Sequence, residues 1–215
     1  MIVSVHLPKT GGSTVGKVLE SHFGSLRRDN GDAVADPDSP FNRDRQAYRA
    51  QFQAENPIIA EPAVHGHFWL NKYDHLDATR LVFLRDPRER LLSNYFHWMG
   101  APSRAPFRAR MIENSATVLD FARHNSFRYF YTQTYFGGVD MKSFDFIGLF
   151  EDFSVDILRL QQFLGAHQEI PHLQINPHEN YAQLAGEVRS DTRLMSELAD
   201  LLADDLRFYE QWSRR

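Results

Sequence analysis

Apolar residues come along this chain in short runs separated by turn-forming residues. Ile2 to Leu7 is almost continuously apolar and β-branched, and Thr79 to Leu84 ends in the unbroken run Leu81-Val-Phe-Leu84. Such runs mark strands buried on both faces. Ala63 to Trp69 and Phe144 to Phe150 predict two further strands. Between the strands the spacing becomes helical. Ser13 to Phe23 follows a Gly-Gly pair, and Leu91, Leu92, Tyr95 and Phe96 form a stripe after Pro87, a residue tolerated at the first helical position. Phe153, Ile157, Leu160 and Leu164 predict a helix that stops at Gly165, and Leu194, Leu198, Leu201 and Leu202 one that runs toward Trp212. Helices are also expected over Met111 to His124 and, briefly, over Ala47 to Ala54.

Strands alternating with helices predict an α/β domain with a central parallel sheet flanked by helices on both faces. Ligands of such sheets gather beyond the carboxyl ends of the strands. The stretch from Gly24 to Arg43 is rich in Asp, Gly and Pro, and reads as an irregular, mobile surface excursion.

Composition narrows the function. A length of 215 residues suits one domain, and 42% hydrophobic residues is too many for a disordered chain. A net charge of −4 argues against a general nucleic-acid binder. No cysteine is present, which removes disulfides and thiolate chemistry and fits a reducing interior. Met1 to Leu7 has no basic leader and its apolar run is too short for a signal peptide. No later run approaches the ~20 apolar residues of a membrane helix. A cytoplasmic protein without a membrane span is expected.

Two segments carry anion-binding chemistry. Pro8-Lys9-Thr10-Gly11-Gly12-Ser13-Thr14 follows the first strand directly. Glycines there let the backbone turn tightly and offer its N–H groups to an anion, at the positive end of the helix that follows. Lys9 adds a mobile charge, and Ser13 and Thr14 add hydroxyls. Because the lysine precedes the glycines, the segment is not the nucleotide loop G-x-x-x-x-G-K-[ST], which argues against an ATP-dependent phosphotransferase. The plainer reading is a capped Gly-Gly turn with a solvated lysine. The second segment, Arg85-Asp86-Pro87-Arg88-Glu89-Arg90 with Ser93 beyond it, again runs from strand to helix. Arg85, at a buried strand's end, suits a bidentate phosphate contact. Arg88 and Arg90 read as a solvated, salt-bridged first turn.

Together these segments resemble the PAPS-dependent sulfotransferases, in the branch of the heparan sulfate and uronyl 2-O-sulfotransferases with their bacterial members. His6-Leu-Pro-Lys-Thr-Gly-Gly-Ser-Thr14 looks like that family's 5′-phosphosulfate loop, and Leu84-Arg-Asp-Pro-Arg-Glu-Arg-Leu-Leu-Ser-Asn-Tyr95 like its 3′-phosphate motif. His65-Gly-His67-Phe resembles the segment that supplies the general base. Phe146 to Phe153 and Asp204 to Tyr209 are similar to other recurrent family segments. Order and spacing hold to about residue 165 and again near the C-terminus, but fail between Gly24 and Ile59 and between Ser103 and Asp140.

The resemblance implies a single P-loop-like domain over residues 1–215. It implies 3′-phosphoadenosine 5′-phosphosulfate (PAPS) as donor, 3′-phosphoadenosine 5′-phosphate (PAP) as product, no metal, and carbohydrate sulfation as the activity. Lys9 would stabilise the leaving oxygen. Thr10, Gly11, Gly12, Ser13 and Thr14 would hold the 5′-phosphate, and Arg85 and Ser93 the 3′-phosphate. His67 is the first choice of base and His65 the second, since an imidazole titrating near pH ~6.5 can take a hydroxyl proton. Either histidine can equally be an interior, hydrogen-bonded one, or half of a metal-binding pair. Glu151 can act as base instead, or orient backbone. The partner is a small-molecule or glycan acceptor, and Arg104, Arg108, Arg110, Arg123 and Arg128 are candidate contacts should it be anionic. A non-catalytic nucleotide- or glycan-binding module on the same scaffold is the rival reading.

Overall fold

The structure, a computed structural model, describes residues 1–166 and 180–214. Its sheet has five strands, all parallel: β1 (Ile2–Val5), β2 (Arg27–Asp29), β3 (Ala63–Gly66), β4 (Thr79–Leu84) and β5 (Phe146–Leu149), in the order β2-β3-β1-β4-β5. Around it lie α1 (Gly12–Phe23), α2 (Pro40–Arg43), α3 (Arg45–Glu55), α4 (Pro87–Met99), α5 (Pro106–Glu113), α6 (Val118–Arg123), α7 (Asn125–Arg128), α8 (Phe153–Leu164), α9 (Tyr181–Ser190), α10 (Thr192–Leu201) and α11 (Ala203–Ser213).

Strand periodicity sorts the core into two layers. Val3 and Val5 of β1, with Val82 and Leu84 of β4, pack on one face with Phe130, Tyr131 and Tyr135. Ile2, Leu81 and Phe83 point the other way, onto Val15, Val18 and Leu19 of α1 and Phe153, Ile157 and Leu160 of α8. Both faces are covered, so the strands read as unbroken apolar runs. A third cluster joins α4, α6, α7 and α10 through Leu91, Phe121, Phe127 and Leu198.

The chain builds β2 and β3 on one side of β1 and then crosses to place β4 and β5 on the other. The reversal leaves a crevice beyond the tips of β1 and β4, where such sheets bind ligands.

Three expectations need correction. Residues 24–43 are not simply an irregular excursion: they contain β2 and α2, and Asp32, Val34 and Phe41 are buried. A strand reading Arg-Arg-Asp has no apolar signature because it lies at the sheet's edge. Met111 to His124 is not one helix but parts of α5 and α6, separated by Ser115 at φ 47° and re-initiated by a Thr117–Asp120 capping box. The C-terminal helix is likewise two, divided at Leu202.

Candidate functional site

At the β1 tip, the chain enters α1 through a loop with Lys9 at φ 70° and Gly11 at φ 81°. Left-handed backbone is natural for glycine and strained for lysine, and such loops gather N–H groups around an anion. Among the described residues no side chain caps α1, and its first turn closes on the Gly11 carbonyl, which accepts from the Thr14 amide at 3.0 Å and the Val15 amide at 3.3 Å. A Cβ on Gly11 would meet the Phe153 ring at 2.2 Å, and one on Gly12 the His6 ring at 1.8 Å. Close packing therefore requires both glycines, and left-handed conformation requires Gly11 as well.

The β4 tip is built differently. Asp86 caps α4 by accepting from the amides of Arg88 and Glu89, with Pro87 in the first turn. Arg88 pairs with the same carboxylate at 2.7 Å, as expected of a surface residue. Arg90 instead is fully buried, its guanidinium 3.4 Å from the Phe130 ring centroid and without a hydrogen-bond partner among the described residues. That overturns its solvated reading: it sits on the inward face of α4. Tyr131 clamps the Arg85 backbone, accepting from its N–H at 3.1 Å and donating to its carbonyl at 2.6 Å. Glu151 accepts from the Asp86 amide at 2.8 Å and from the Tyr209 hydroxyl at 2.8 Å. With both oxygens engaged, Glu151 orients backbone.

Arg85 ties the tips together. Its guanidinium lies over the Phe150 ring, 4.3 Å from the centroid, and donates to the Lys9 carbonyl at 3.0 Å. Burial, and then the nearby Arg85 charge, hold the Lys9 pKa below the ordinary lysine value.

One cavity of about 1020 Å³ is lined by Lys9, Gly11, Gly12, Ser13 and Thr14 from the first tip and by Arg85 and Ser93 from the second. His67 lines it too, and Trp98, Phe107 and Tyr181 add an aromatic wall. Thr10 is absent from that lining: it is buried, and its hydroxyl donates to the Leu7 carbonyl at 2.9 Å, bracing the loop from behind.

The two histidines at the β3 tip part company. His65 is buried, with Nδ1 2.8 Å from the Ser4 hydroxyl and Nε2 2.9 Å from the Gly12 carbonyl. Burial pushes its pKa down to about 3. With both nitrogens engaged it is a neutral brace for the phosphate loop. His67 lies two residues on, past the strand, at the cavity wall. Its Nδ1–H donates to the His6 carbonyl at 2.5 Å, which leaves the Nε2 lone pair without a partner among the described residues, and its backbone N–H donates to Asn30 Oδ1 at 3.1 Å. The His6 ring packs between the two, 4.9 Å from His65 and 4.2 Å from His67. Burial lowers the His67 pKa, opposed by the bond to His6, so the ring is neutral at pH 7.

Sequence reasoning missed Asn30, whose position rests on a buried ion network. Lys72, only 1% exposed, pairs with Asp29 at 2.7 Å and with Asp32. Tyr73 donates to Asp29 and Tyr48 to Asp32, the latter at 2.9 Å. Asn30, between the two aspartates, is held at the cavity rim by groups some 40 residues distant in sequence, about the separation of Lys72 from Asp32. No local pattern signals that.

Of the five arginines suggested for an anionic acceptor, only Arg108 lines the cavity, and its guanidinium is spent on the carbonyls of His97, Trp98 and Ala101. Arg110 pairs with Asp38, Arg123 with Glu197, and Arg128 donates to the Leu201 carbonyl.

The loop after β1, the start of α4 and the His67 imidazole thus line one crevice at the tips of a parallel sheet. A model of the sulfotransferase family matches residues 1–210, and the chain belongs to that family. Among solved structures, the chain is similar to a sulfotransferase from Alicyclobacillus acidocaldarius, at 17% identity and a TM-score of 0.40, over 94% of this chain and 95% of that one. It is also similar to the mouse sulfotransferase SULT7A1 complexed with PAP, at 15% identity and a TM-score of 0.37, over 90% of this chain and 63% of that one. No curated protein matches the chain. Among the described residues, no helix is long and apolar enough to cross a membrane.

Proposed function

We propose that the protein transfers a sulfuryl group from PAPS to a hydroxyl of a carbohydrate, with His67 as general base. The carrying observation is that one cavity joins both cradles to the free Nε2 of His67. The first cradle holds the 5′-phosphosulfate through the loop amides and the hydroxyls of Ser13 and Thr14. Arg85 and Ser93 hold the 3′-phosphate, and the Trp98 and Phe107 rings offer the adenine a stacking surface.

His67 Nε2 takes the proton as the acceptor oxygen bonds to sulfur. The bond from sulfur to the bridging oxygen breaks in line, and its electron pair stays on the 5′-phosphate of PAP. Lys9 neutralises the charge that grows on that oxygen. Its lowered pKa also suits it to donate a hydrogen bond in a site emptied of water.

The test is transfer of radioactive sulfate from PAPS to a panel of saccharides by the wild type and by His67→Ala. General-base catalysis is worth roughly a hundredfold to ten-thousandfold, and the variant should lose that much rate while binding PAP as before. For the wild type, the acid limb of kcat/KM should fall below pH 6.5, because burial lowers the base's pKa from that value and only the neutral ring can accept a proton. A fully active His67→Ala would assign the base elsewhere.

A further inference from the structure

The helix α11 contributes nothing to the cavity lining, yet two separate routes lead from it to Arg85. Asp205, Phe208 and Tyr209 fall at i, i+3 and i+4 and so share one face of the helix. Asp205 is 1% exposed. Its carboxylate accepts from the Tyr131 amide at 2.8 Å, the Thr132 amide at 3.0 Å and the Thr132 hydroxyl at 2.9 Å. These bonds anchor the π-helical turn Phe130–Tyr135 at its start, and Phe208 stacks on the Tyr131 ring at 5.6 Å. The Tyr131 hydroxyl then bridges the N–H and the carbonyl of Arg85. The other route runs through Tyr209, which donates to one Glu151 oxygen at 2.8 Å while the other oxygen accepts from the Asp86 amide at 2.8 Å.

The two routes converge on one peptide unit. Its carbonyl, from Arg85, is held by Tyr131, and its N–H, from Asp86, by Glu151. The Arg85 N–H, in the preceding unit, is held by Tyr131 as well. With the peptide planes on both sides of its Cα fixed, the direction in which the Arg85 side chain leaves the strand tip is fixed too. Small errors there matter, because a misplacement of ~1 Å caused by a distant change can cost on the order of a hundredfold.

Building on the proposed function, we infer that Asp205 and Tyr209 are positioning residues that aim Arg85 from outside the cavity and so set the preference for a nucleotide carrying a 3′-phosphate. Calorimetry of PAP and AMP on the wild type, Tyr209→Phe and Asp205→Asn tests this. Tyr209→Phe removes one hydroxyl from a half-buried side chain, so the fold should be kept. In both variants PAP should weaken by about tenfold while AMP, held by the β1 loop alone, binds as before. A merely structural role would lower the fraction of competent protein, and hence the binding stoichiometry, without moving the ratio of the two affinities. A wild-type ratio in either folded variant, or an equal loss for both nucleotides, would overturn the inference. Should Asp205→Asn fail to fold, Tyr209→Phe decides alone. If the wild type itself bound PAP and AMP alike, the donor reading would fall, and the inference with it.

Discussion

The two cradles proposed for the donor stand at neighbouring strand tips and are built by opposite means. At the β1 tip the proposed ligands are backbone amides, and side chains such as Thr10 and His65 brace the loop from behind. At the β4 tip the proposed ligands are side chains, Arg85 and Ser93, and the backbone is what is braced, by Tyr131 and Glu151. An amide cradle depends on shape and tolerates no added atom. A side-chain cradle depends on charge, so it weakens when a neutral member is lost and fails when the charged one is. Joined by the Arg85 bond to the Lys9 carbonyl, the two can act as a calliper of fixed span.

Gly12→Ala should break the comparison most severely. The added methyl would meet His6 at 1.8 Å, so the loop must shift and its amides lose their convergence. Affinities for PAP and AMP should both fall by about a hundredfold or more in calorimetry. A loss confined to PAP would mean that the loop does not hold the 5′-phosphate. Ser93→Ala should sharpen the contrast with a smaller effect. One hydroxyl hydrogen bond to a charged group is worth about 1.5–3 kcal/mol, so PAP should weaken by roughly tenfold to a hundredfold and AMP not at all.

The strands of the sheet interior and the phosphate loop were legible because their signals are local. β-branched runs report burial on both faces, and a Gly-Gly pair between strand and helix reports a loop that must turn tightly. Edge strand β2 was not legible, since its Arg-Arg-Asp sequence is that of a surface. Arg90 misled because a charge run normally faces water, whereas here an aromatic ring covers the guanidinium. His65 and His67 illustrate the same limit within one motif. Residues two apart share a face in an extended strand, but this strand ends at Gly66, and of the two only His67 lines the large cavity while His65 is buried. Asn30 and the Lys72 network are long-range products of the fold and leave no sequence pattern at all.

The proposed function requires the distance between the cradles to match a nucleotide phosphorylated at both the 5′ and 3′ positions. Calorimetry of PAP against AMP, on the wild type and on Arg85→Ala, tests that most directly. The wild type should favour PAP by about tenfold or more, and the variant should bind the two nucleotides alike. Equal affinity of the wild type for both, or a PAP preference that persists without Arg85, would contradict it.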